Sequence, residues 1–82
     1  DMKIYPNPVV QDAILACNNL TDKNIHISII SMVGNIVYTK EVTVQQDAEQ
    51  VTLPMEQLPS AVYIVQVKVG EQVFIERVER LP

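Results

Sequence analysis

Apolar and polar residues alternate along most of this chain, and the alternation restarts after each turn marker. Side chains of a β-strand point to opposite faces in turn, so a period of two marks a half-buried strand. Residues 2–5 give a short opening strand, stopped by Pro6-Asn7-Pro8. Two prolines in three residues fix φ and remove backbone donors, which predicts a rigid turn or a crossing at a sheet edge. Residues 11–17 come next, with Ala13, Leu15 and Cys17 on one face, followed by a polar loop over 18–24. The clearest alternation runs over 25–30, where Ile25, Ile27 and Ile29 face one way and His26 and Ser28 the other. Gly34-Asn35 and then Ile36-Val37-Tyr38-Thr39 follow, predicting a β-hairpin in which Gly34 supplies a positive φ.

Residues 41–44 extend that strand toward a polar turn at 45–49, and 50–53 form another short strand closed by Pro54. Residues 55–60 are too short and too Pro-bounded for more than a loop or a single helical turn. Residues 61–69 alternate with Val65, Val67 and Val69 on one face. Gly70-Glu71 then turns the chain into 72–78, where Val73, Ile75 and Arg77 share a parity. Some seven short strands at regular spacing, with no credible helix, predict an all-β, immunoglobulin-like β-sandwich of antiparallel strands.

Composition agrees with that expectation. Of 82 residues 48% are hydrophobic, yet there are only three Tyr and one Phe and no Trp, so the core must be aliphatic. Branched aliphatic side chains pack well on a pleated surface. Eighty-two residues make one domain, spanning 1–82. The first strand begins at once after Asp1 with no leader, which suggests a piece excised from a longer secreted chain. No apolar run approaches the ~18 residues of a membrane-spanning helix.

The formal charge of −4 is mild and the six Lys and Arg are scattered, so the basic stripe of a nucleic-acid binder is missing. Cys17 is the single cysteine and allows no intrachain disulfide; a small hydrophobe inside a strand is its expected role. His26 is the single histidine, with no cysteine or second histidine at ligand spacing, and its parity makes it a surface residue. Nothing marks a nucleophile elbow, the carboxylates are dispersed, and the two glycines form no phosphate-cradling loop. A small aliphatic sandwich also leaves little room for a ligand cleft of ~300 Å³ or more. No catalytic, metal or cofactor residues are therefore assigned, and neither an enzyme nor a small-molecule binder is expected.

The order of the motifs is more informative than any one of them. Tyr5-Pro6-Asn7-Pro8 follows the first strand, and the Ile25-x-Ile27-x-Ile29 strand leads to Gly34 and Ile36-Val37. Leu58-Pro59-Ser60-Ala61-Val62-Tyr63 opens the penultimate strand, and Arg77 and Arg80 lie near the end. From Ile4 to Arg80 this succession resembles the type A C-terminal sorting domain of the type IX (Por) secretion system of Bacteroidetes. Two departures stand out. Ala61 occupies a place where that family usually has glycine, and the chain ends Arg80-Leu81-Pro82 rather than on a lysine-rich tip.

The resemblance implies a non-catalytic tag, covalently linked to an N-terminal passenger that reaches the cell surface or medium through the periplasm and outer membrane. It implies outer-membrane secretion machinery and a sortase-like peptidase as partners. The candidate recognition residues are Pro6, Asn7, Pro8, Gly34, Tyr63, Arg77 and Arg80. Each also has a structural reading: a rigid strand crossing for Pro6-Asn7-Pro8, a turn for Gly34, and core packing with a bonded hydroxyl for Tyr63. Arg77 and Arg80 can equally be solvated edge charges that suppress aggregation. The alternative function is a structural or adhesive immunoglobulin-like module of a surface protein with no secretory role.

Overall fold

The structure, a computed structural model, describes residues 2–82; Asp1 lies outside the described residues. The strands are β1 (Met2–Tyr5), β2 (Ala13–Asn18), β3 (Asn24–Ser31), β4 (Ile36–Thr43), β5 (Ala48–Leu53), β6 (Ala61–Val69) and β7 (Gln72–Arg80). One 3-10 turn, Met55–Gln57, joins β5 to β6. A three-stranded sheet in the order β1-β2-β5 faces a four-stranded sheet in the order β4-β3-β6-β7, and every strand pair is antiparallel. This is the expected immunoglobulin-like sandwich, in the variant where the fourth strand joins the sheet of the third.

The alternation seen in the sequence selects the core. Ala13, Leu15 and Cys17 of β2 are buried against Ile25, Ile27 and Ile29 of β3 and Val65, Val67 and Val69 of β6. Strand ends moved by a residue or two where partners extend the ladder. β2 starts at Ala13 rather than 11, Ala48 and Glu49 leave the polar turn to pair with Asn18 and Cys17, and β7 runs on to Arg80. The residues 36–39 and 41–44 form one strand to Thr43, and Val44 beyond it is fully buried. Its amide donates to the Lys23 carbonyl at 2.9 Å and its carbonyl accepts from Asp22 at 2.9 Å, which ties the loop before β3 to the loop after β4.

Two positions depart from simple parity. Ser28 sits on the outward face of β3 as expected, yet it is buried, because Thr39 and Gln66 flank it on the adjacent strands. In β7 the shared face of Val73, Ile75 and Arg77 looks outward, while Val78 supplies the fully buried side chain of that strand.

The volume expectation also needs correction. A cleft of about 110 Å³ opens between β1 and β7, but two larger depressions, about 420 and 460 Å³, lie along β5. They arise because a sandwich has open sides: the larger runs between the edges of β4 and β5, and both are shallow and lined by polar side chains such as Gln50 and Glu49.

Candidate functional site

Strand register gathers most of the candidate residues at one end of the sandwich. The end of β3 meets the start of β6 through Ser31 and Tyr63, and the start of β6 meets the end of β7 through Ala61 and Arg80. The β3–β4 turn carrying Gly34 projects from the same end. Gly34 has φ +92°, and its amide donates to the Ser31 carbonyl at 2.9 Å, closing the hairpin as the sequence predicted. The ladder shifts between Ile29 and Ile30, so that Ile36 lies opposite Ile30 and the apolar tip is re-aimed. Met32, Val33 and Ile36 are left in solvent, with Val33 83% exposed.

On the outer face of the four-stranded sheet, the register aligns Ile36, Ile30, Ile64 and Arg77 in one row across β4, β3, β6 and β7. Further from that end the face turns polar over β4, β3 and β6, while β7 adds the exposed Ile75 and Val73. Thr39, Ser28 and Gln66 form the next row, then Glu41, His26 and Lys68. The Glu41 carboxylate accepts from Asn24 Nδ2 at 3.0 Å and lies 3.7 Å from His26 Nδ1, so the single histidine is a surface residue paired across the hairpin.

Pro6-Asn7-Pro8 is a crossing at a sheet edge. It carries the chain from β1 in the smaller sheet to the outer edge of β7 in the larger one, where Val9 makes a parallel bridge to Arg80. Both Tyr5-Pro6 and Asn7-Pro8 peptide bonds are cis. Val9 N–H donates to the Glu79 carbonyl and the Leu81 N–H donates to the Val9 carbonyl, each at 2.8 Å. The Asn7 side chain extends this pairing: its Nδ2 donates to the Arg77 carbonyl at 2.8 Å, and its Oδ1 accepts from the Glu79 amide at 3.1 Å. A side-chain amide carries a donor and an acceptor at peptide-like spacing, so it can complete an edge as a strand would. The sequence marked Asn7 but left Val9 unnoticed. Two successive valines after the prolines have no period to betray that Val9 is fully buried and Val10 is not.

Tyr63 and Arg80 are held by backbone carbonyls. Tyr63 is 3% exposed and its hydroxyl donates to the Pro59 carbonyl at 2.6 Å, the tyrosine corner of immunoglobulin-like sandwiches. Ala61, just before it, has no positive φ and starts β6 in extended conformation, so alanine fits there without strain. Arg80 is half-buried: its Nε donates to the Met55 carbonyl at 2.8 Å, Nη2 to the Glu56 carbonyl at 3.1 Å, and Nη1 to the Leu81 carbonyl. It is therefore not a solvated edge charge. The 3-10 turn is gripped from the other side by Asp12, whose Oδ1 accepts from the Glu56 amide at 3.1 Å. Arg77 is exposed, and Asn7 touches only its backbone.

Cys17 is buried as expected, and burial raises its thiol pKa above the ordinary value, with the nearby Glu49 carboxylate adding to the rise. Such a thiol stays protonated and inert at neutral pH. Among the described residues, no three His, Cys, Asp or Glu side chains gather as metal ligands.

The family described as the secretion system C-terminal sorting domain matches residues 3–78 of this chain. No curated protein matches. The match spans both sheets and each candidate residue except Arg80, from the first strand to within two residues of the end of the last. The family is one of sorting signals rather than of enzymes. Its members ride on a passenger joined at the N-terminus and exported to the surface or beyond. This chain belongs to that family and is a C-terminal sorting signal for type IX secretion.

Proposed function

We propose that outer-membrane machinery of the type IX system engages this domain on the periplasmic side through the Gly34–Arg77 end of the sandwich. In this reading the domain comes last in the parent chain. A sortase-like peptidase then removes it at the cell surface, and the passenger is released or joined to lipopolysaccharide. The observation that carries the reading is the cross-strand row Ile36, Ile30, Ile64 and Arg77, continued by the apolar hairpin tip. A contiguous exposed apolar surface rimmed by polar or charged groups marks an interaction face. Gly34 and Arg77 are the members of the candidate set offered to a partner. Pro6, Asn7, Pro8, Tyr63 and Arg80 act by fixing the backbone beneath them.

The test is transport. The chain, fused to the C-terminus of a fluorescent protein with a signal peptide, is expressed in a Bacteroidetes host with and without a working type IX system. Fluorescence is expected at the surface or in the medium only with the intact machinery. A fusion carrying Val33→Asp and Arg77→Glu is expected to stay in the periplasm although it folds. Export of that variant at the parental level would remove the hairpin end from the mechanism.

A further inference from the structure

The edge of β7 is divided into two unlike halves. In an antiparallel strand the N–H and C=O of successive residues point to alternate sides. Asn7 and Val9 bond Arg77 and Glu79 on the outer edge, so residues of the same parity, Val73 and Ile75, also direct their backbone groups outward. Among the described residues nothing pairs with them, because β6 is the neighbour of β7 on the other side and the crossing segment reaches only the far half.

The side chains sharpen the contrast. Exposed sheet edges usually carry charge, a bulge or proline against unwanted pairing. β1 has Lys3, β4 has Lys40 and Glu41, and β5 has Glu49, whereas residues 72–75 read Gln-Val-Phe-Ile with no charge. Val73, Phe74 and Ile75 are all exposed, Ile75 at 65%. Phe74 stands at the mouth of the 110 Å³ cleft between β1 and β7, beside Ile4, Leu15, Val65 and Val67.

We infer that the free half of β7 is a self-association edge, where a second copy of this chain adds its own β7 antiparallel about a two-fold axis at Phe74. In that register Val73 exchanges backbone hydrogen bonds with Ile75 of the second copy. Phe74 faces Phe74 of the second copy, and Glu71 faces Arg77 of the second copy on the outer side of the sheet. Opposite charges thus close both ends of the seam. The two aromatic rings meet at the closer, non-hydrogen-bonded spacing and cover the cleft mouths. Centring one residue further along would need the Arg77 carbonyl, which Asn7 already holds. Centring one residue earlier would set Arg77 against the Gly70 turn region and lose the charge pairing. The Asn7 clip and the charge pairing together select the register, and this inference does not depend on the Gly34–Arg77 end being the export face.

Sedimentation of the chain from about 10 μM to about 1 mM covers the range expected of so short a seam. The weight-average mass should rise from 9.2 kDa toward twice that value and no further. Arg77→Glu and Glu71→Arg should each weaken association about tenfold, and the double variant should restore it, since cross-strand pairs respond to the sign of both partners. In a Cys17→Ala background, Phe74→Cys should form an interchain disulfide at least about tenfold faster than Ile75→Cys, because position 74 faces its own copy at the closer spacing while position 75 faces Val73. A mass that stays monomeric to about 1 mM, a double variant that remains weak, or equal crosslinking at both positions would overturn the inference. None of these readouts depends on export.

Discussion

The side-chain amide of Asn7 stands in for a strand at the edge of β7, with Nδ2 donating to the Arg77 carbonyl at 2.8 Å. Seventy residues of sequence separate the two, and the Glu79 amide completes the clasp. Asn7→Ala should lower stability by about 1 kcal/mol, the usual net value of such bonds. Asn7→Asp should cost more, because a carboxylate keeps the acceptor but opposes the Arg77 carbonyl. Urea denaturation measures both, and the Glu79 amide should exchange faster with solvent in each variant. Unchanged exchange at Glu79 would mean the clasp is not populated in solution.

Arg80 is a structural cation. Its guanidinium reaches the carbonyls of Met55 and Glu56 in the 3-10 turn, and these charge-assisted bonds are partly shielded from water. Arg80→Ala should cost about 2 kcal/mol of folding stability, within the range for bonds to charged groups. Arg80→Lys should recover less than half of that, since an ammonium lacks the planar, pre-organised fork that spans the two carbonyls. Full rescue by lysine would show that only the charge matters.

Removing the Tyr63 hydroxyl isolates the tyrosine corner. Tyr63→Phe keeps the buried ring and deletes the 2.6 Å bond to the Pro59 carbonyl, so a loss of about 1 kcal/mol is expected. Thermal and urea unfolding should agree on it. A neutral result would place the stabilisation in the ring alone.

At Gly34 the strain of a side chain can be separated from crowding. A Cβ there would meet nothing within 4 Å, but φ is +92°. Gly34→Ala should therefore destabilise the hairpin by about 1 kcal/mol through backbone conformation only. The measurement is a urea midpoint; a steeper loss would mean the turn rearranges.

Cys17 couples stability to alkaline pH. Its thiol pKa is raised in the folded state by burial first and by Glu49 second. The unfolded chain therefore gives up this proton earlier than the folded one. Its contribution is complete below the ordinary value of 9.0 and is lost as pH climbs from there through the folded pKa. Cys17→Ala should flatten that part of the stability profile. In the native protein the thiol, 1% exposed, should resist a disulfide reagent at pH 8 and react fully in urea.

Much of this molecule can be read from short-range pattern. The periods of 13–17, 25–29 and 65–69 named the buried faces, Gly34 named its turn, and the prolines named a crossing, because each follows from local geometry. The run Val73-Phe74-Ile75 breaks alternation, and that was the available sign of a strand apolar on both faces, though nothing local says that its edge is free. The motif order carried the family itself, and the match over residues 3–78 bears that out.

What only the tertiary structure decided are relationships between distant segments. Arg77 and Arg80 look alike in the sequence, yet one points to water and the other grips a turn 24 residues away. Asn7 and Val9 acquire their partners only when β7 arrives beside them. Alternation of side chains is fixed by the geometry of one strand, whereas an edge is defined by what lies next to it. The sequence therefore determined which faces are buried, and folding determined which backbone groups and which cations remain for a partner.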